Sequence, residues 1–131
     1  MAPGEIPLIG GQGDSGEIGE RGIITEIIYF DFDSSSIKAS ERAKLSIVAD
    51  YVRNNPGHQV IAEGHCDWRG TPEYNLALGD RRSQSVRQYL ETLGASSVSL
   101  ETRSKGDLNA LENASAAQMA EDRRVEFLVV R

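Results

Sequence analysis

Asp67 and Arg82 are the residues whose chemistry the sequence leaves most conspicuously open. At 100° per residue, Leu78, Val86, Tyr89 and Leu93 form one apolar helix stripe, and Arg82 lies in its middle. Asn75 stands two turns earlier on the same side, whereas Arg81 and Arg87 point to solvent. An arginine on a buried stripe keeps its proton and needs an anionic partner. Asp67, at the end of the preceding strand, is a nearby candidate. Two readings follow from these residues alone. The pair is a structural ion pair bracing strand against helix, or it stays partly open and receives a ligand carrying both charges. In the second case Asp67 takes an ammonium, Arg82 takes a carboxylate through a two-pronged contact, and Asn75 offers a donor and an acceptor. The ligand class is then zwitterionic and amino-acid-like.

Other reactive side chains point less far. Cys66 beside His65 suggests a thiol and its base, but strand neighbours face opposite ways, which makes a buried, inert cysteine the expectation. His65 and Asp67 share a face and, with His58, sketch a metal site that no further His or Cys completes. A metal-assisted hydrolase using His65 and Asp67 is the enzymatic alternative. Ser34-Ser35-Ser36 reads as a turn.

The elements that must position these groups alternate. Ile24–Phe30 is β-branched and aromatic, a first strand. Ser40 is the expected cap of a helix running to about Asn54, with Leu45, Val48 and Val52 as its stripe, ended by Asn54-Asn55-Pro56-Gly57. Gln59–His65 is a second strand. Thr71 caps the next helix, Pro72 takes its first position, Glu73 favours its N-terminal dipole and Gly94 ends it. Val98–Ser104 is a third strand, Lys105–Asn113 a loop, Ala114–Ala120 a short helix and Arg124–Val130 a final strand. The fold class is α/β (α+β), a mixed sheet with helices packed on it and at least one parallel pair.

Residues 1–22 carry glycines and charges without apolar period and read as a flexible N-terminal tether; residues 23–131 form one domain. The net charge of −6 and the lack of any basic block argue against nucleic acid. The single cysteine leaves the redox compartment open. No apolar run approaches the roughly 20 residues that span a bilayer, and the start shows no signal peptide.

Four runs resemble the OmpA-like peptidoglycan-binding domain family, most closely its peptidoglycan-associated lipoprotein branch. They are Tyr29–Ser34, Glu63–Asp67, Arg69–Gly79 with Arg81-Arg82, and Arg123–Phe127. The resemblance covers about residues 24–131. It implies a two-layer β/α/β/α/β sandwich that is not an enzyme, needs no cofactor or metal, and works in the periplasm at the outer membrane. The implied ligand is the peptidoglycan stem peptide, held at meso-diaminopimelate. Asp67 would receive its ammonium and Arg82 its carboxylate, with Asp33, Asn75, Arg123 and Phe32 lining the same pocket. The resemblance further implies a TolB-like β-propeller partner and an N-terminal lipid anchor, whose cysteine this chain lacks. A domain of a larger porin or motor-stator protein is a related alternative. Cys66 stands where the family usually has Thr, Trp68 where it often has Glu, and Asp122 where it has Asn. The extra charge of Asp122 is expected to compete with a ligand carboxylate at Arg123.

Overall fold

The computed structural model describes residues 21–131. The expected tether lies outside the described residues except for Arg21 and Gly22, which already belong to the first strand. Strand β1 is Arg21–Tyr29, helix α1 Arg42–Asn54, β2 Gln59–His65, α2 Pro72–Thr92, β3 Leu100–Gly106, α3 Ala116–Asp122 and β4 Arg124–Val130. The strands form one sheet in the order β1-β4-β2-β3, with β2 and β3 parallel and the other pairs antiparallel. Helix α1 packs on β1 and α2, and α2 packs on β2 and β3. Ile24, Ile28, Val60, Ala62, Val125, Phe127 and Val129 from the sheet meet Leu45, Val48, Tyr51, Val86 and Leu90 from the helices in one core. The mixed sheet with helices packed on it is as expected. Among the described residues no helix is long and apolar enough to cross a membrane.

Four element starts differ from the sequence expectation, the first being β1, which begins at Arg21 and not at Ile24. Ser40 does not cap α1; it sits inside a 3-10 turn, Ala39–Glu41, that precedes the helix. Glu41 anchors this end instead, accepting from Tyr29 N at 2.7 Å and Lys44 Nζ at 3.1 Å. Strand β3 begins two residues late because Ser96 Oγ accepts from Val98 N and starts a second 3-10 turn. Ser115 Oγ accepts from Gln118 N and so sets the start of α3 at Ala116. The α2 start follows the sequence closely, with Thr71 Oγ1 accepting from Tyr74 N at 3.1 Å and Pro72 next.

Where α2 crosses β2, two glycines meet. A Cβ built on Gly64 would lie 1.9 Å from Gly79 O, and one on Gly79 would lie 2.4 Å from Ser104 Oγ. With no side chain at either position, the helix comes within backbone contact of the strand. That approach carries Arg82 to the carbonyl at the end of β2, where the functional residues begin.

Candidate ligand-binding site

Arg82 is wholly buried, and although burial lowers its pKa, a guanidinium starts too high to lose its proton near neutral pH. It does not pair with Asp67, so of the two readings the ion-pair brace is not what the structure shows. Its Nε donates to Ser34 O at 2.7 Å, Nη1 to His65 O at 2.9 Å and Nη2 to Asp31 O at 3.1 Å. Nη1 also faces Cys66 Sγ at 3.5 Å, and the guanidinium lies 5.3 Å from the Phe30 ring centroid. Arg82 therefore ties the 31–34 loop and the end of β2 to α2 through backbone carbonyls. Of its five N–H groups, one on Nη2 is left for a ligand, so the two-pronged contact expected of it is not available.

Asp67, 4% exposed, is held by other arginines. Arg69 donates its backbone N at 3.0 Å, Nε at 3.2 Å and Nη2 at 2.8 Å, and Arg123 Nη1 adds a contact at 3.4 Å. Burial pushes the Asp67 carboxyl up, but the Arg69 hydrogen bonds and charge, with Arg123, outweigh it and hold the group below the usual carboxylate range. Arg123 Nε also donates to Phe30 O at 2.9 Å. Asp33 sits at φ +55°, a left-handed conformation that aspartate tolerates, and accepts from Tyr74 Oη. Phe32 is 59% exposed, and the Arg69 guanidinium stacks 3.9 Å from its ring centroid. Asn75 donates to Arg69 O at 2.8 Å and to Asp107 Oδ2 at 2.9 Å, which spends both of its amide protons on the protein.

Phe32, Asp33, Asp67, Asn75, Arg82 and Arg123 all line one pocket of about 230 Å3. Two carboxylates and three guanidinium groups, counting Arg69, face or border it, so it carries both signs of charge. The OmpA family profile matches residues 29–124, a span that includes every one of these side chains.

The chain belongs to the OmpA family. The peptidoglycan-associated lipoprotein of Pseudomonas putida is 40% identical over 114 residues, covering 86% of this chain and 67% of that protein. The Mesorhizobium japonicum protein of the same description is 43% identical over 83 residues, 63% of this chain and 49% of that protein. The chain thus spans between about half and two thirds of the length of these relatives. Among solved structures, the peptidoglycan-associated lipoprotein from Burkholderia pseudomallei superposes with a TM-score of 0.75 at 35% identity, covering 79% of this chain and 89% of that one.

Within this OmpA-family domain, sequence reasoning missed Arg69 and Tyr74. Both stand in the matched run, and the two-residue spacing from Asp67 to Arg69 is the signal that an Asx-type turn would fold the arginine back onto the carboxylate. Asp122 does not compete at Arg123. It is buried and accepts from Gln118 Nε2 at 2.9 Å and Leu111 N at 3.3 Å, with Arg124 3.8 Å away.

The residues of the metal and hydrolase alternatives are not brought together. Strand β2 ends at His65, so its alternation does not carry on to Asp67. His58 Nδ1 bonds Tyr51 Oη at 2.7 Å, whereas His65 Nε2 bonds Glu63 at 3.2 Å and lies 3.9 Å from Glu126. Glu63, His65 and Glu126 hold ligand-type atoms within 4.8 Å of one another, but Arg124 Nε donates to Glu126 and places a fixed cation there. Burial, then Arg124, lowers the His65 pKa. Cys66 points the other way, its Sγ donating to Asn75 O at 3.2 Å, and burial pushes its pKa up to about 11. A protonated thiol facing a helix carbonyl is no nucleophile.

Proposed function

We propose that this pocket binds the stem peptide of peptidoglycan at its meso-diaminopimelate residue, without catalysis, and so anchors the outer membrane to the cell wall. The observation that carries the reading is convergence. Residues from the 31–34 loop, the end of β2, α2 and the start of β4 line one pocket carrying both charge signs. A zwitterionic amino-acid terminus matches that charge pattern. Asp67 exchanges part of its arginine contact for the ligand ammonium. The ligand carboxylate meets Arg123 and the free N–H of Arg82, and Phe32 and Asp33 border it. The Asn75 amide protons are already engaged, so its role is to hold the rim. The identity to peptidoglycan-associated lipoproteins supports the same assignment. On it, the domain is a periplasmic, outer-membrane-associated part of a Tol-Pal system, lipid-anchored in the full-length protein, with a TolB-like β-propeller as partner.

The test is a matched pair of stem peptides, one with diaminopimelate and one with lysine, titrated while backbone amide shifts are followed. Lysine lacks the side-chain carboxylate, so the arginines lose a charge-assisted contact of about 1.5–3 kcal/mol, on the order of 10–100-fold in affinity. Shifts should centre on Asp33, Asp67 and Arg123. Equal affinity for both peptides, or shifts elsewhere, refutes the assignment.

A further inference from the structure

A second hollow adjoins the first pocket. Trp68, Gly70, Pro72, Asp107, Ala110 and Glu112 line an open depression of about 390 Å3, and Gly70 walls both. Asn75 connects them, one amide proton on Arg69 O and the other on Asp107. Apart from the Gly70 wall and the Asn75–Asp107 hydrogen bond, the first pocket shares none of the groups that line this hollow. Trp68 Nε1 is buried and has no acceptor among the described residues. Asp107 and Glu112 enter no ion pair among the described residues.

We propose that this hollow is a saccharide subsite that takes one pyranose ring of a glycan strand whose stem peptide fills the first pocket. The inference rests on the stem-peptide reading. Two carboxylates exclude the acidic portions of the ligand by like-charge repulsion, leaving a neutral or cationic group. A pyranose offers a C–H face to an indole ring and, at its edge, hydroxyls that donate to carboxylates. Its oxygens also supply the acceptor that the Trp68 N–H lacks once the ring shifts to meet them. An ammonium offers donors alone and leaves that N–H unpaired. Reach agrees, because two residues separate diaminopimelate from the sugar in a stem. At roughly 3.5 Å per extended residue, that puts the ring on the order of 10 Å away, the scale of an adjoining hollow.

Trp68 is the only tryptophan in the chain, so its emission reports on this hollow. The parent, Trp68→Ala and Trp68→Phe are titrated by calorimetry with a diaminopimelate stem peptide, and with the same peptide carrying its N-acetylglucosamine–N-acetylmuramic acid disaccharide. Emission is followed in the parent. The sugar should tighten binding to the parent by about three- to tenfold, the contribution of one stacked ring and a hydrogen bond. Only the sugar-bearing peptide should shift the emission. Trp68→Ala should bind both peptides alike at the sugar-free affinity, with Trp68→Phe in between. No gain in the parent, or a full gain kept by Trp68→Ala, overturns the proposal. If the sugar-free peptide fails to bind the parent, the stem-peptide reading falls separately. A peptide-free N-acetylglucosamine oligomer then decides the hollow, an emission shift supporting it and silence overturning it. A shift with spermidine but with no saccharide also overturns it, in favour of a cation site.

Discussion

Arg82→Ala should destabilise the domain severely, through the loop that carries Asp33 more than through the loss of a ligand contact. Three backbone carbonyls lose their donor. His65 O sits at the buried strand end and stays stranded, at about 1–3 kcal/mol. The Ser34 and Asp31 carbonyls regain water, so each lost bond costs about 1 kcal/mol. The space vacated in a close-packed interior adds about 2 kcal/mol or more. Removing a buried charge offsets part of this, since a desolvated ion is itself costly. The net is a loss of about 3–5 kcal/mol, a large share of the roughly 5–15 kcal/mol that hold a domain together. In a domain of this size that corresponds to a Tm lower by roughly 10–25 °C. Urea unfolding followed by far-UV circular dichroism measures the loss, and hydrogen exchange at residues 31–36 localises it. Arg82→Lys should recover only part, because one ammonium cannot reach three carbonyls as a planar guanidinium does. A loss below about 1 kcal/mol, with exchange at residues 31–36 unchanged, would refute the bracing role.

Gly64→Ala should cost about 3 kcal/mol, the upper end of the usual overpacking range, because the added methyl meets helix backbone that cannot rotate away; chemical denaturation reads it, and a neutral result would mean α2 is free to lift. Asp67 has a lowered folded pKa, so its stabilisation is complete above the unfolded value of about 3.9 and is lost as pH falls through the folded value. Asp67→Asn should accordingly flatten the acid limb of the stability profile below about pH 4. His65 also has a lowered folded pKa. The unfolded chain then takes up a proton near pH 6.5 that the folded one refuses, so stability should fall as pH drops below about 6.5, and His65→Gln should remove that slope. Cys66 should resist alkylation in the native state at pH 8, and Cys66→Thr should leave folding and peptide affinity within about threefold because a hydroxyl can still donate to Asn75 O.

The sequence carried the elements and the pocket membership further than it carried the pairing. The stripe of α2 is legible because its period is strict, and Arg82 stands out as the exception within it. The partner of Arg82 is not legible because a guanidinium donates equally to a carboxylate or to backbone carbonyls, and only the tertiary path of the 31–34 loop decides between them. The role of Arg69 is hidden for a related reason. A residue two positions after an aspartate counts as its partner only once the turn is known. The element starts at Ser40 and Val98 slipped because Ser and Glu side chains compete with regular capping by bonding nearby backbone groups. The Gly64–Gly79 contact has no signature beyond two glycines fifteen positions apart.

The carboxylate of Asp67 already has cations of its own chain beside it, Arg69 and Arg123. On the stem-peptide reading, an incoming ammonium replaces a cation instead of creating an ion pair where none existed. Substitution of like for like returns little net Coulomb energy and depends weakly on ionic strength. It also leaves a resident competitor, Arg69, stacked on Phe32 and ready to retake its place. A grip of that kind releases as easily as it closes. An envelope that must keep inserting new wall beneath its outer layer is served by many short-lived holds of this sort, since each can let go and re-form a step further along the growing mesh.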